Sequence, residues 1–169
     1  MRGILKFPPD PAMKKSDRIE AFVENLGPSA GERADLDRHY LGYFQCFNEG
    51  LYYEAHDVLE HLWLKEKDTG NPDADFFKGL IQLAGAFVHL KKQYERPDHP
   101  KDGRRLRPAT RLFRLAIGNL TPYGPHHLAL DVPALVAFCE AKIAAIAGSE
   151  FAVNPWHPDR KPSLSLLPP

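Results

Sequence analysis

The chain has 169 residues and a mass of 19.1 kDa, about one ordinary domain, so it can bury a core without disulfide or metal staples and is not a multidomain machine. Hydrophobic residues at 43% and charged residues at 26% exclude a disordered chain or a coiled-coil fibre. Lys+Arg 22 balance Asp+Glu 22, which removes the broad positive field typical of nucleic-acid binders, so any charged partner must meet a local patch.

Apolar residues recur at helical spacing from end to end and strand signals are nearly absent, which predicts an all-α protein. Ile19, Phe22, Val23 and Leu26 define a short first helix with Ser16 as its expected cap and Gly27-Pro28 as its stop. Leu36, Tyr40, Tyr43, Phe44 and Phe47 share one face of a second helix, ended by the tight corner Asn48-Glu49-Gly50. A third helix is expected over about 51–65, closed by the polar segment 68–72, and a fourth over about 75–93. After a loop rich in Pro, Asp and Lys, the fifth helix carries an apolar stripe from Leu106 through Leu112 and Phe113 to Leu120, and its opposite face holds Arg104, Arg107, Arg111 and Arg114. The sixth opens with Asp131 as cap and Pro133 in its first turn, and ends at Gly148, where glycine suits a left-handed closing residue. Beyond it, Pro155, Pro158, Pro162, Pro168 and Pro169 prohibit regular helix, and Trp156 among them points to an extended tail that packs down. Short connections make sequential helices antiparallel neighbours. The expected architecture is a compact up-and-down bundle of five or six helices: an N-terminal extension with a short helix (1–34), the bundle domain (35–148) and a Pro-rich C-terminal tail (149–169).

Cys46 and Cys139 have neither disulfide-framework nor zinc-finger spacing and are expected as buried, reduced thiols. The N-terminal apolar run is too short for a signal peptide, and the uncharged stretch 79–90 is too short to span a bilayer. The expectation is a soluble, cytoplasmic protein with no membrane partner.

The zero net charge conceals two opposed blocks: residues 48–77 hold eight acidic against two basic side chains, and residues 91–114 hold nine basic against three acidic. Such blocks read as solvated faces, or attract one another within the chain or across a homo-oligomer. The arginine face also suits a phosphate or carboxylate, which makes Arg111 a candidate for holding a small anionic substrate. No aromatic residues interleave with these arginines, so nucleic acid is not an expected partner.

The stretch from Tyr52 to Trp63 is the richest in chemistry. At about 100° per residue, Leu51, Ala55, Val58, Leu59 and Leu62 face the core, Glu54, Asp57 and His61 face away, and His56, Glu60 and Trp63 fall between. His56 and Glu60, four apart, sit one above the other. On the fourth helix Gln82 and His89 share a stripe with Gly79 and Ala86, small residues that admit another helix closely. If the third and fourth helices bring these faces together, two imidazoles and a carboxylate (His56, Glu60, His89) can hold zinc, iron or manganese, with Glu60 or Glu54 taking a proton from metal-bound water. The alternatives are a buried hydrogen-bond network that fixes helix register, and a small-molecule pocket with Gln82, Trp63 and Tyr52 among its binding residues. The remaining histidines, His39 and His61 included, are expected on solvated faces, in loops or in the tail.

Residues 47–60, Phe-Asn-Glu-Gly-Leu-Tyr-Tyr-Glu-Ala-His-Asp-Val-Leu-Glu, with Trp63, Phe77-Lys78-Gly79-Leu80-Ile81-Gln82-Leu83-Ala84 and His89, resemble the bacterial and archaeal domain-of-unknown-function family 309. The resemblance runs from about residue 40 to 120, and Leu64 stands where the family often has arginine. It implies a small all-helical fold and, as some members are described, a metal-dependent hydrolase with motif residues His56, Glu60 and His89. A competing expectation is a non-enzymatic, tetratricopeptide-like interaction module, because the segment 40–63 has the form of one hairpin of such an array.

Overall fold

A computed structural model describes residues 12–26 and 33–169. Among them six α-helices form the protein: α1 (Lys15–Glu24), α2 (Arg38–Asn48), α3 (Tyr52–Glu66), α4 (Ala74–Glu95), α5 (Leu106–Leu120) and α6 (Val132–Gly148). Consecutive helices from α2 onward pack on one another, most extensively α4 with α5, and α1 lies against α3. This is the expected all-α bundle. The Gly27-Pro28 stop lies outside the described residues.

Local chemistry sets most element ends. Asp37 caps α2 by accepting the His39 N–H at 2.7 Å, and Asp131 caps α6 by accepting the Ala134 N–H at 3.0 Å, with Pro133 in the first turn. Gly50, at φ +78°, takes the left-handed position after α2, where the Leu51 N–H returns to the Cys46 carbonyl at 2.9 Å and turns the chain into α3. Two expectations about helix ends are corrected. Ser16 lies inside α1, whose cap position is the extended Lys14. Gly148 is the last helical residue of α6, and the left-handed residues after it are Glu150 and Phe151.

The core is aromatic and runs along the helix stack. Phe87 of α4 meets Phe47 of α2 at 5.2 Å, Phe113 of α5 at 5.5 Å and Phe138 of α6 at 5.8 Å between ring centroids, and so ties four helices together. Tyr43, fully buried, donates its hydroxyl to the Leu80 carbonyl at 2.7 Å, a hydrogen bond that fixes α2 against α4. Between α5 and α6 the chain forms a small antiparallel hairpin, β1 (His126–His127) with β2 (Leu130–Asp131). Leu128 and Ala129 take its two left-handed positions, where the Gly or Asn that would have advertised the turn is missing.

The tail packs down as Trp156 suggests. Its indole N–H donates to the Tyr52 hydroxyl at 2.8 Å in a buried contact. Asn154 donates to the Leu90 carbonyl at 2.8 Å. Further on, Leu164 and Asn48 exchange two hydrogen bonds, of 2.7 and 2.9 Å, between backbone and side-chain amide. Among the described residues no helix is long and apolar enough to cross a membrane.

Candidate functional site

The helix α3 buries Ala55, Val58, Leu59 and Leu62 and leaves His56 and Glu60 half-exposed at its rim. His56 bridges two carboxylates: Nε2 lies 3.4 Å from Glu60 Oε2 and Nδ1 lies 3.2 Å from Asp57 Oδ1. The i, i+4 pair therefore forms as expected. Asp57 does not face outward. It is buried because α1 covers that side of α3, and Lys15 donates to Asp57 Oδ1 at 3.1 Å. Burial works to raise the Asp57 carboxyl, but the hydrogen bonds from His56 and Lys15 outweigh it and hold the group below its ordinary value.

Gln82 and His89 do not join His56 and Glu60, because the small-residue stripe of α4 faces α5 rather than α3. Gly79 is packed against Leu120 and Asn119, and Gly85 against Leu112. Gln82 accepts from the Asn119 amide at 2.7 Å. His89 Nδ1 lies 3.2 Å from an Arg105 guanidinium nitrogen, and Arg105 is in turn clamped to Asp102. Burial first, then the positive charges of Arg105 and Lys92, push His89 down to about 4. Among the described residues the ligand atoms of His56, Glu60 and His89 are not gathered at one point. The metal set that the family resemblance implies does not fit this arrangement.

The other candidates fall as follows. Tyr52 is buried and engaged by Trp156, so it is a core residue and not a ligand contact. Trp63 is half-buried with the Lys67 ammonium 5.3 Å from its ring. Glu54 stands half-buried on the first turn of α3. Arg111 is exposed and makes no ion pair among the described residues. The two charge blocks do not pair either: Arg96 and Arg105 both turn to Asp102 inside the basic block, and Lys65 turns to Glu20 on α1.

A different cluster emerges where α1, α2 and α3 meet. His39 and His61, expected on solvated faces, have side chains only 12% and 14% exposed. Their rings stack at 5.3 Å, 26° apart. Both aim at one carboxylate oxygen, Glu20 Oε1, which lies 2.6 Å from His61 Nε2, 3.2 Å from His39 Nε2 and 3.1 Å from Lys65 Nζ. On the far side of the His39 ring, Nδ1 lies 3.0 Å from Asp37 Oδ1, the same oxygen that caps α2. Burial works to raise the Glu20 carboxyl, but Lys65, His61 and the charge of His39 bring it down to about 2. Among the described residues, Glu20, His39 and His61 are the group of three whose ligand atoms all lie within 4.8 Å of one another.

Sequence reasoning missed this group because its members stand 19 and 41 positions apart on three helices. One local signal was present: Asp37-x-His39 at a helix start, where a capping carboxylate can also orient the imidazole two residues on.

No curated protein and no solved structure matches the chain. Residues 40–97, which carry the Tyr52–Trp63 stretch and the Gln82–His89 stripe, match the family model described as Domain of unknown function (DUF309). The similarity to that family covers this segment alone, and Glu20 and His39 lie outside it.

Proposed function

We propose that this protein binds a divalent metal ion through Glu20, His39 and His61 and acts from that centre on a small anionic substrate. The convergence of two imidazoles and one carboxylate within 4.8 Å carries the proposal. This donor set suits zinc, iron or manganese with a position left open. Asp37 supports it from behind: by taking the Nδ1 proton of His39 it turns the Nε2 lone pair toward Glu20 and His61. A metal held there would lower the pKa of a bound water toward neutrality.

The chain's own residues supply the surroundings for hydrolysis. His61 also borders a groove of about 150 Å³ lined by Lys15, Asp57 and Glu60. Glu60 is the carboxylate placed to accept a proton there, and Lys15 is the cation placed to meet an anionic group. Lys65 holds the same Glu20 Oε1 that an ion would need, so its ammonium would have to give way to one. The two buried free cysteines, Cys46 and Cys139, favour a reducing compartment such as the cytoplasm.

Metal analysis and zinc titration of protein purified without a histidine tag test the proposal. Stoichiometric metal is expected, lost in His39→Ala and His61→Ala, retained in His56→Ala and His89→Ala, and bound more tightly by Lys65→Gln. Absence of stoichiometric metal from the parent refutes the centre and leaves an ion-pair network that closes α1 on α3. The interaction-module alternative draws on the serial packing of the helices, and its mark is partner capture that survives chelator with no drop in melting temperature.

A further inference from the structure

At the other end of the bundle, where the tail crosses the last turns of α4 and the outer side of α6, lies a groove of about 480 Å³. That volume is within the ordinary range of small-molecule sites. Its contents divide by chemistry. Lys142 of α6 and Arg160 of the tail bring two positive charges to it, and neither has a carboxylate partner among the described residues. The Asp159 side chain beside Arg160 is 87% exposed, and its Oδ2 lies 3.6 Å from His157 Nδ1.

The rest of the wall is largely aromatic. Tyr94 and Trp156 meet edge to face at 5.4 Å, and Tyr94 and His157 do so at 5.1 Å. Val153, 56% exposed, adds an aliphatic edge. These surfaces are fixed in place. The Trp156 indole is anchored on Tyr52, the Asn154 amide on the Leu90 carbonyl, and the Asp159 N–H on His157 Nδ1 at 3.1 Å, which leaves the proton on Nε2, 3.3 Å from the Tyr94 hydroxyl.

Two like charges converge here with no carboxylate to neutralise them, Lys142 resting only over the Phe138 ring at 5.2 Å, and a dianion between them would relieve their repulsion. Burial, and then the charge of Arg160, already press the Lys142 ammonium below the ordinary lysine value. An aromatic wall beside the cations selects for a ligand with a planar body.

We propose that this groove is a binding site for a small organic phosphate monoester carrying a planar group, with Lys142 and Arg160 on the phosphate and the exposed Tyr94, backed by the buried Trp156, against the ring. The site is built from different elements than the Glu20, His39 and His61 cluster and stands independently of it.

Isothermal titration of the full chain with phenyl phosphate and, separately, with inorganic phosphate tests the assignment. Phenyl phosphate is expected to bind one to one, about tenfold more tightly than inorganic phosphate. Lys142→Met and Arg160→Gln should each weaken it by about tenfold or more, the scale of one lost charge-assisted hydrogen bond. Lys78→Gln, at an exposed lysine on α4 outside the groove, should leave binding unchanged and so control for general charge. The proposal is overturned if phenyl phosphate shows no saturable binding, if Lys142→Met binds like the parent, or if Lys78→Gln weakens binding as much as Arg160→Gln. Equal affinity for the two phosphates overturns the role of the aromatic wall. Unchanged thermal melts of the variants confirm that each lost affinity is local.

Discussion

The approach of α5 to α4 decides where Gln82 and His89 point, and one added methyl group tests it. A Cβ at Gly79 would lie 2.8 Å from Leu120 Cγ, 3.0 Å from Leu120 Cδ2 and 3.2 Å from Asn119 Cβ. Leu120 is fully buried, and its Cγ is the branch point of the side chain rather than a free end, so relief requires a new rotamer in a packed site or a shift of α5. Overpacking of this kind costs about 1–3 kcal/mol. Alanine recovers about 1 kcal/mol over glycine in a helix interior, which leaves Gly79→Ala destabilised by about 1 kcal/mol. Gly118, inside α5, supplies the matched control: a Cβ there meets nothing within 4 Å, so Gly118→Ala should gain about 1 kcal/mol from propensity alone. The same chemical change at two helix-interior glycines should thus differ by about 2 kcal/mol, with opposite signs.

Urea denaturation followed by circular dichroism measures both variants, with an unchanged slope confirming that the folded and unfolded states are otherwise comparable. In a chain of this size each kcal/mol moves the melting temperature by about 2–4 °C. Moving α5 outward would also stretch the Asn119 to Gln82 hydrogen bond of 2.7 Å, which adds to the loss. A Gly79→Ala protein as stable as the parent would refute the close packing of α4 on α5, and with it the reason given for His89 facing Arg105 instead of His56.

Two further outcomes follow from the buried polar contacts. Tyr52→Phe leaves the Trp156 indole N–H buried without an acceptor and should cost about 1–3 kcal/mol, whereas Phe at both positions costs less than the sum of the single changes; strict additivity in this double-mutant cycle would mean that the tail is not held by this hydrogen bond. His89 titrates near 4 in the folded chain against 6.5 ordinarily, so its contribution to stability is fully present above about pH 6.5 and is lost as pH falls toward about 4, because the unfolded chain takes the proton first. His89→Gln should therefore flatten the stability profile across that window by about 1–3 kcal/mol, and profiles that superimpose from pH 7 to 4.5 would contradict the placement of His89 against Arg105.

Sequence alone determined what depends on neighbours within one helical turn. The stripe from Leu106 to Leu120 became α5 with those ends, Asp131 and Pro133 opened α6, and Asn48-Glu49-Gly50 turned α2 into α3, because periodicity, capping and left-handed glycine act over a few residues. The His56–Glu60 pair was legible for the same reason. What only the tertiary structure decided was which face meets which helix. A helical wheel shows that Gln82 and His89 share a stripe with small residues, but not that the helix nestled there is α5. Nor does it show that α1 closes over α3, burying Asp57 and drawing His61 and His39 onto Glu20. The hairpin at Leu128 and Ala129 was hidden likewise, its left-handed positions being held by context rather than by glycine. A side chain's local spacing is written in the chain itself, whereas its burial and its partners are set by residues dozens of positions away, whose arrival is a property of the whole packed core.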